Sequence, residues 1–345
     1  MNEKFDAVNT PAEVRSLLLF SALNGDDPVG LRKRILSGFE VDAVKQNPKR
    51  KVYRLRCADG TELYLKLFAG QNYLQSFFRF NARHEYHAAR TLEKAGLPMI
   101  RYLAWGQLQR GGFCLSEGIP QALSARQYFF ETLIRDPERQ SAFLAELAGL
   151  TGQLRNLSIR HPDFHLGNIL FCPVTDQLCL ADPWGVHPVL LRLKKYRLEW
   201  CLPWVELYGS VPEEQLLVGM EEAGLAGNKS EAESLLKEAL ARHSLQIQRH
   251  RAKLDARILS GKSKYATEIE LPEGRCSFRH TEWFAAPAEL EISSRWHAVQ
   301  YETEAESRQI WLDSFLQIPP QENPPLARLI AKDGSSVLFY DHEAS

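Results

Sequence analysis

The chain has 345 residues, enough to bury a sizeable core and to form two domains or one large bilobal one. Its 42 Lys and Arg against 43 Asp and Glu give a net charge of −1, which excludes nucleic-acid binding through a global positive field and leaves any anionic partner to local patches. Six cysteines lack the paired spacing of a zinc site or a disulfide framework and read as reduced core thiols of a cytosolic protein. Met1 to Thr10 is polar rather than basic then apolar, so it is not read as a secretory signal, and no run nears the roughly 20 apolar residues of a spanning helix. A soluble or peripheral protein is expected.

Asn9-Thr10-Pro11-Ala12-Glu13 is a helix start, with a capping residue, proline in the first turn and an acid near the positive end of the dipole. Val14, Leu17, Leu18 and Ala22 continue it at helical spacing, and a second helix is expected from Asp27 to Leu36, ending at Gly38. Val52 to Arg56 alternates, Asp59-Gly60 is a hairpin turn, and Glu62 to Leu67 alternates again, an antiparallel meander with Lys66 in its last strand. A helix is predicted over Arg83 to Ala95, closed by Gly96 and Pro98, with Glu85 near its beginning. Strands are expected over Leu97 to Ala104 and Gly112 to Glu117, then helices over Ser124 to Ile134 and Pro137 to Leu157. A sheet-rich part followed by a helical part argues for two lobes with a cleft between them.

Just after the long helix, Ile159 to Phe171 reads Ile-Arg-His-Pro-Asp-Phe-His-Leu-Gly-Asn-Ile-Leu-Phe. His161, Asp163 and Asn168 have the spacing of a loop in which an Asp accepts the proton of an attacking hydroxyl and an Asn five positions on holds magnesium. Ile169 to Phe171 and Leu178 to Leu180 read as short buried strands, the second ending at Asp182, which supplies a hard oxygen ligand suited to Mg²⁺. Upstream, Lys66 and Glu85 stand in the order of the ion pair that fixes the α- and β-phosphates of ATP. Either residue alone reads more simply as a surface charge, but Lys66, Glu85, Asp163, Asn168 and Asp182 each fall on the element type their role demands. His165 contacts a γ-phosphate, pairs with Asp163 or simply packs; the residues leave these open.

The run from His161 to Leu170 resembles the loop of the kinase-like phosphotransferases that act on small molecules and sugars, a group including aminoglycoside and homoserine kinases. His84 to Pro98 narrows the resemblance to the bacterial lipopolysaccharide core kinases, the heptose and Kdo kinases, over roughly residues 45 to 265. This resemblance implies an α+β, bilobal protein-kinase-like fold with a β-rich N-lobe and a helical C-lobe. It implies Asp163 and His165 in catalysis, Lys66 and Glu85 on ATP, Asn168 and Asp182 on Mg²⁺, and a sugar or glycolipid acceptor met at the cytoplasmic face of the inner membrane. A soluble small-molecule acceptor is the enzyme alternative, and a pseudokinase scaffold the non-enzyme one. Two departures stand out. No Gly-x-Gly-x-x-Gly precedes Lys66, where Gln46 to Lys51 offers a basic turn instead, and Pro162 takes the place of the Arg that serves a phosphorylated activation loop.

A helical stretch is expected over His187 to Trp204, with Trp200 and Trp204 in the core, then two acidic helices over Pro212 to Glu238. Arg242 to Lys264 is basic, and Asn72 to Phe80 is aromatic; either reads as ordinary surface or packing, or as contact with an anionic membrane. Beyond Tyr265, strands over Gly274 to Phe284 and Ala327 to Tyr340 flank a helix over Thr303 to Leu316. That order echoes Ala88 to Glu117 and is read as coincidence rather than repetition. The expected organisation is a helical extension over 1–40, an N-lobe over 41–118, a C-lobe over 119–264 and an additional α+β segment over 265–345.

Overall fold

The computed structural model describes residues 5–6, 11–23, 27–46, 50–69, 81–188, 194–260, 266–271, 274–279, 296–301, 303–316, 325 and 327–341. The chain divides into two compact units, Met1–Leu240 and Ala241–Ser345. In the first, strands β1 (Phe5–Asp6), β2 (Glu40–Gln46), β3 (Arg50–Arg56), β4 (Glu62–Ala69), β5 (Tyr102–Leu108) and β6 (Gly111–Glu117) form one antiparallel sheet in the order β1-β5-β6-β4-β3-β2. The strand carrying Lys66 therefore lies inside the sheet, where Lys66 is flanked by Val52 on β3 and Cys114 on β6.

The alternation of β4 decides what each face does. Leu63, Leu65 and Leu67 point into a core completed by Val14 and Leu18 of helix α1 (Ala12–Leu23) and by Leu31 and Ile35 of helix α2 (Pro28–Gly38). Lys66 and Phe68 consequently point to the other face. There helix α3 (Ala82–Lys94) packs with Tyr86 and Ala89 against Phe68, Tyr102, Trp105 and Cys114. The side chain of Asn81 caps α3 by accepting from His84 N at 2.9 Å. The helix stops at Gly96, whose φ of +77° suits a residue without Cβ, with Leu97 N reaching back to Leu92 O at 3.1 Å. The strand expected from Leu97 begins only at Tyr102, because the intervening backbone is spent elsewhere: Leu180 N donates to Pro98 O (2.8 Å) and Ile100 N to Leu180 O (3.0 Å).

The second lobe of this unit has its own core. The expected helix over Ser124 to Ile134 is a short turn, Ala125–Gln127, running into a π-helical stretch, Tyr128–Leu133, and is followed by α4 (Pro137–Asn156). Strand β7 (Leu123–Ser124) joins the hairpin of β9 (Ile169–Cys172) and β10 (Gln177–Leu180). The helix expected from His187 is corrected at its start. His187–Pro188 is a strand, β11, paired with β8 (Ile159–Arg160), residues 189–193 lie outside the described residues, and the helices are α5 (Lys194–Trp200) and α6 (Leu202–Leu207). Trp200 and Trp204 are fully buried, and α7 (Glu213–Glu222) and α8 (Lys229–Leu259) follow. A β-rich lobe and a helical lobe with separate cores, joined by strand-delivered loops, make the unit an α+β, protein-kinase-like bilobal fold.

The second unit holds a five-stranded antiparallel sheet, β12 (Ala266–Leu271), β13 (Gly274–Arg279), β14 (Trp296–Tyr301), β15 (Ala327–Ala331) and β16 (Ser336–Asp341), with helix α9 (Glu304–Leu316). Trp311 and Leu312 of α9 pack with Leu254, Ile258 and Leu338. Part of the basic run of α8 is consumed here, since Arg251 Nη2 donates to Asp313 Oδ2 at 2.7 Å. Helix α9 followed by the antiparallel β15–β16 pair has the same element order as helix α3 followed by the antiparallel β5–β6 pair. Residues 280–284 of the expected strand and the aromatic insert over 72–80 lie outside the described residues.

Close packing in the helical lobe can be tested at Gly219 on α7, where an added Cβ would stand 2.5 Å from Cζ3 of the fully buried Trp204. Overpacking costs about 1–3 kcal/mol, while replacing a mid-helix glycine by alanine returns at most about 1 kcal/mol. Gly219→Ala is expected to lower stability by about 1 kcal/mol in denaturant unfolding, and an unchanged midpoint would show that Trp204 yields without cost.

Candidate active site

Two groups of polar side chains meet between the lobes of the first unit. In the first, Lys66 Nζ donates to Glu85 Oε1 at 2.6 Å, to Tyr102 OH at 3.0 Å and to Asp182 Oδ1 at 3.2 Å. Tyr102 in turn donates to Glu85 Oε1 at 2.7 Å. Glu85 is only 2% exposed, which an unpaired carboxylate does not tolerate, so the reading of it as a surface acid is set aside. Arg50, at the start of β3, adds a bidentate contact to Asp182, Nη1 to Oδ1 at 3.2 Å and Nη2 to Oδ2 at 3.0 Å, and lies 3.9 Å from Glu85 Oε2.

These contacts set the charge states. Burial by itself would push the Lys66 ammonium down, but Glu85 and Asp182 outweigh it and raise its pKa. Burial likewise works against the Asp182 carboxylate, yet Lys66 and Arg50 hold it well below the usual carboxylate range. For Tyr102, burial and then the Glu85 charge drive the phenol well above its ordinary value, keeping it a neutral donor. Asp182 adopts φ +48°, a left-handed backbone that is costly for a residue with a side chain and that persists where surrounding contacts hold it.

The second group lies on the loop after β8. Asn168 Nδ2 donates to both the carbonyl oxygen and Oδ2 of Asp163, each at 2.9 Å. The His165 ring accepts from Gly167 N through Nδ1 at 3.0 Å, which leaves Nε2 to carry the proton toward Asp163 Oδ1 at 3.5 Å. A side chain at Gly167 would stand 2.9 Å from His165 Cε1, so glycine there makes room for the ring. His165, then Asn168, hold the Asp163 carboxyl below its ordinary pKa, and its side chain is 54% exposed. The groups are joined through backbone, since Ala181 N donates to Asn168 O at 2.9 Å, and Pro162 packs on Gly185.

All six residues singled out from the sequence thus lie in these two groups. Arg50 was visible only as one member of a basic turn, of which residues 47–49 lie outside the described residues. Glu206 on α6 carried no sequence signal; it accepts from Leu166 N at 2.7 Å and pairs with Arg126, bracing the loop from beneath. Tyr102 read only as a strand residue. His161 is fully buried beside Phe164 and the backbone of Ala181, and burial lowers its pKa to about 4.

The donor set accommodates a magnesium ion. Asp182 and the side-chain oxygen of Asn168, whose amide nitrogen is committed to Asp163, are hard oxygen donors. Among the described residues no three His, Cys, Asp or Glu side chains converge into a metal cage.

No known protein family and no curated protein matches the chain. Among solved structures it is similar to a crystal structure of an aminoglycoside-3'-phosphotransferase of type VIII, at 18% identity and a TM-score of 0.42, over 61% of this chain and 97% of that one. Among the described residues, no helix is long and apolar enough to cross a membrane.

His161 makes stability depend on pH. Its pKa of about 4 in the fold lies below the ordinary 6.5, so between these values the unfolded chain binds more protons and stability rises with pH. Acidification from about pH 6.5 to 4 is therefore expected to remove up to about 3 kcal/mol through this residue. Denaturant unfolding across that window should show a shallower slope in His161→Gln than in the parent; equal slopes would show that the ring contributes nothing.

Proposed function

We propose that the chain is an ATP-dependent phosphotransferase that moves the γ-phosphoryl group of ATP to a sugar hydroxyl, with the lipopolysaccharide inner core as acceptor. The observation that supports this most is the meeting of Lys66, Glu85 and Asp182 within hydrogen-bond distance beside the Asp163–Asn168 pair, with side chains drawn from both lobes. In this reading Lys66, oriented by Glu85 and Tyr102, holds the nucleotide phosphates. Asp163 orients the acceptor hydroxyl and accepts its proton. With its pKa held below the usual range it is a weak base, so orientation is the larger part of its work and the proton leaves late, as the bond to phosphorus forms. His165, protonated at Nε2, keeps Asp163 ionised and aimed. Asn168 and Asp182 would hold Mg²⁺, which when bound neutralises charge on the phosphate oxygens.

The choice of a lipopolysaccharide acceptor rests on the resemblance of His84 to Pro98 and its flanks, and on the exposed Arg249, Lys253 and Arg257 of α8, each worth about 1 kcal/mol beside an anionic membrane surface. The deciding experiment is a phosphotransfer screen of core oligosaccharides against free sugars and aminoglycosides. Transfer to soluble acceptors alone would overturn the glycolipid assignment while leaving the kinase reading in place, and no transfer with weak, magnesium-independent nucleotide binding would mark a scaffold.

Asp163→Asn is expected to lower turnover by about 10²- to 10⁴-fold and leave ATP affinity nearly unchanged. A variant with the parent's rate would remove Asp163 from the chemistry. Asp182→Ala is expected to abolish the magnesium dependence of nucleotide binding in calorimetry; identical isotherms for variant and parent in magnesium would reduce Asp182 to a hairpin residue.

A further inference from the structure

Asp182 is crowded by cations. Arg50 Nη1 and Lys66 Nζ both reach Oδ1 at 3.2 Å, and Arg50 Nη2 reaches Oδ2 at 3.0 Å, so both oxygens of the carboxylate have a cationic partner. Arg50, Lys66, Glu85 and Asp182 together carry two positive and two negative charges, and their side chains are 21%, 13%, 1% and 19% exposed. A divalent cation brought to Asp182 would stand beside two positive groups in a site with little water.

The two cations differ in how they can respond. Lys66 keeps Glu85 at 2.6 Å and Tyr102 at 3.0 Å if it gives up Asp182, so it is retained in place. Arg50 gives up a bidentate carboxylate contact, and the group that replaces such a contact best is a phosphate, which offers the same paired oxygens to the same fork. Arg50 also stands at the first position of β3, at the end of the basic turn that takes the place of a glycine-rich phosphate loop.

We propose that Arg50 is an exchange residue, competing with the divalent cation for Asp182 and passing to the nucleotide phosphates when that cation takes the carboxylate. The inference rests on the kinase reading above and adds to it a phosphate-binding residue and an order of events. A metal ion alone meets a carboxylate already held, and a nucleotide alone meets a guanidinium already spent. Only the two together replace every contact that is broken, so each raises the affinity of the other, and by linkage the factor is the same in both directions.

The test uses the full chain, Mn²⁺ as the metal probe and a non-hydrolysable ATP analogue, with binding followed by calorimetry and by the paramagnetic signal of free Mn²⁺. In the parent, saturating analogue is expected to tighten Mn²⁺ binding by a factor in the range of about 5 to 150. In Arg50→Met, Mn²⁺ alone should bind at least about 5-fold more tightly than in the parent, the analogue with Mn²⁺ should bind more weakly, and the coupling factor should fall toward one. Arg50→Lys, which keeps the charge and loses the fork, should lie between the two and serves if the methionine variant does not fold. Variants that bind Mn²⁺ alone no better than the parent, or that keep the parent's analogue affinity, overturn the proposal. A parent chain that binds the analogue neither with nor without Mn²⁺ overturns the kinase reading instead, and the comparison of Mn²⁺ alone then still decides whether Arg50 competes at Asp182.

Discussion

Taking an ammonium or a carboxylate out of water costs several kcal/mol, and mutual attraction repays that only when each charge is also hydrogen-bonded. The Lys66–Glu85 pair meets this condition: the ammonium has Glu85, Tyr102 and Asp182, and the carboxylate oxygen Oε1 accepts from both Lys66 and Tyr102. Removing any one member leaves the others buried without full compensation, a loss larger than the pair's own net worth. Such a cluster contributes little to stability and much to geometry. It fixes the distance between β4, α3 and the end of β10, and so the relation of one lobe to the other.

That relation is also written into the backbone. Leu180 exchanges two hydrogen bonds with Pro98 and Ile100, so the segment after α3 is tied to β10, two residues before Asp182. One residue further on, Ala181 N donates to Asn168 O, and Asp182 itself is forced into a left-handed conformation. The strain of that conformation is offset by three charge-assisted contacts at the carboxylate, which turn it toward Lys66 and Arg50. The loop that carries Asp163 and Asn168 is held on its other side by Glu206, which satisfies Leu166 N where the chain would otherwise bury an unpaired donor.

What could be read from the sequence followed from how local its cause was. The alternation Leu63, Leu65, Leu67 against Lys66 is a matter of the strand's period of two, and it puts Lys66 on the face opposite that core. A stop such as Gly96 after α3 is equally local. The errors fell where a distant partner overrode the pattern. Leu97 to Ile100 is apolar enough for a strand, but its hydrogen bonds go to Leu180, some eighty residues on. His187 looked like the start of a helix, yet it pairs with Arg160. Glu206 and Tyr102 carry no motif, because their importance lies in whom they meet, and one acid on an amphipathic helix resembles any other. Arg50 showed only as charge; that its fork closes on Asp182 is a fact of tertiary structure.

The tether through Leu180 has a consequence for how the site can change. If α3 were free to swing, Glu85 would be the natural element to move, and Lys66 would lose its partner as the site rearranged. With α3 followed by a segment bonded to β10, the helix and Asp182 keep a common frame, and Glu85 stays on Lys66. The contact that can be exchanged without breaking that frame is the one made by a long side chain from the beginning of β3, and that side chain is Arg50. A rearrangement confined to one guanidinium, with the backbone hydrogen bonds of both lobes intact, costs rotamer entropy of about 2 kcal/mol at most rather than the opening of a packed interface. In the proposed reading, the mobility that phosphate binding requires lies in the Arg50 side chain rather than in the backbone of a glycine loop.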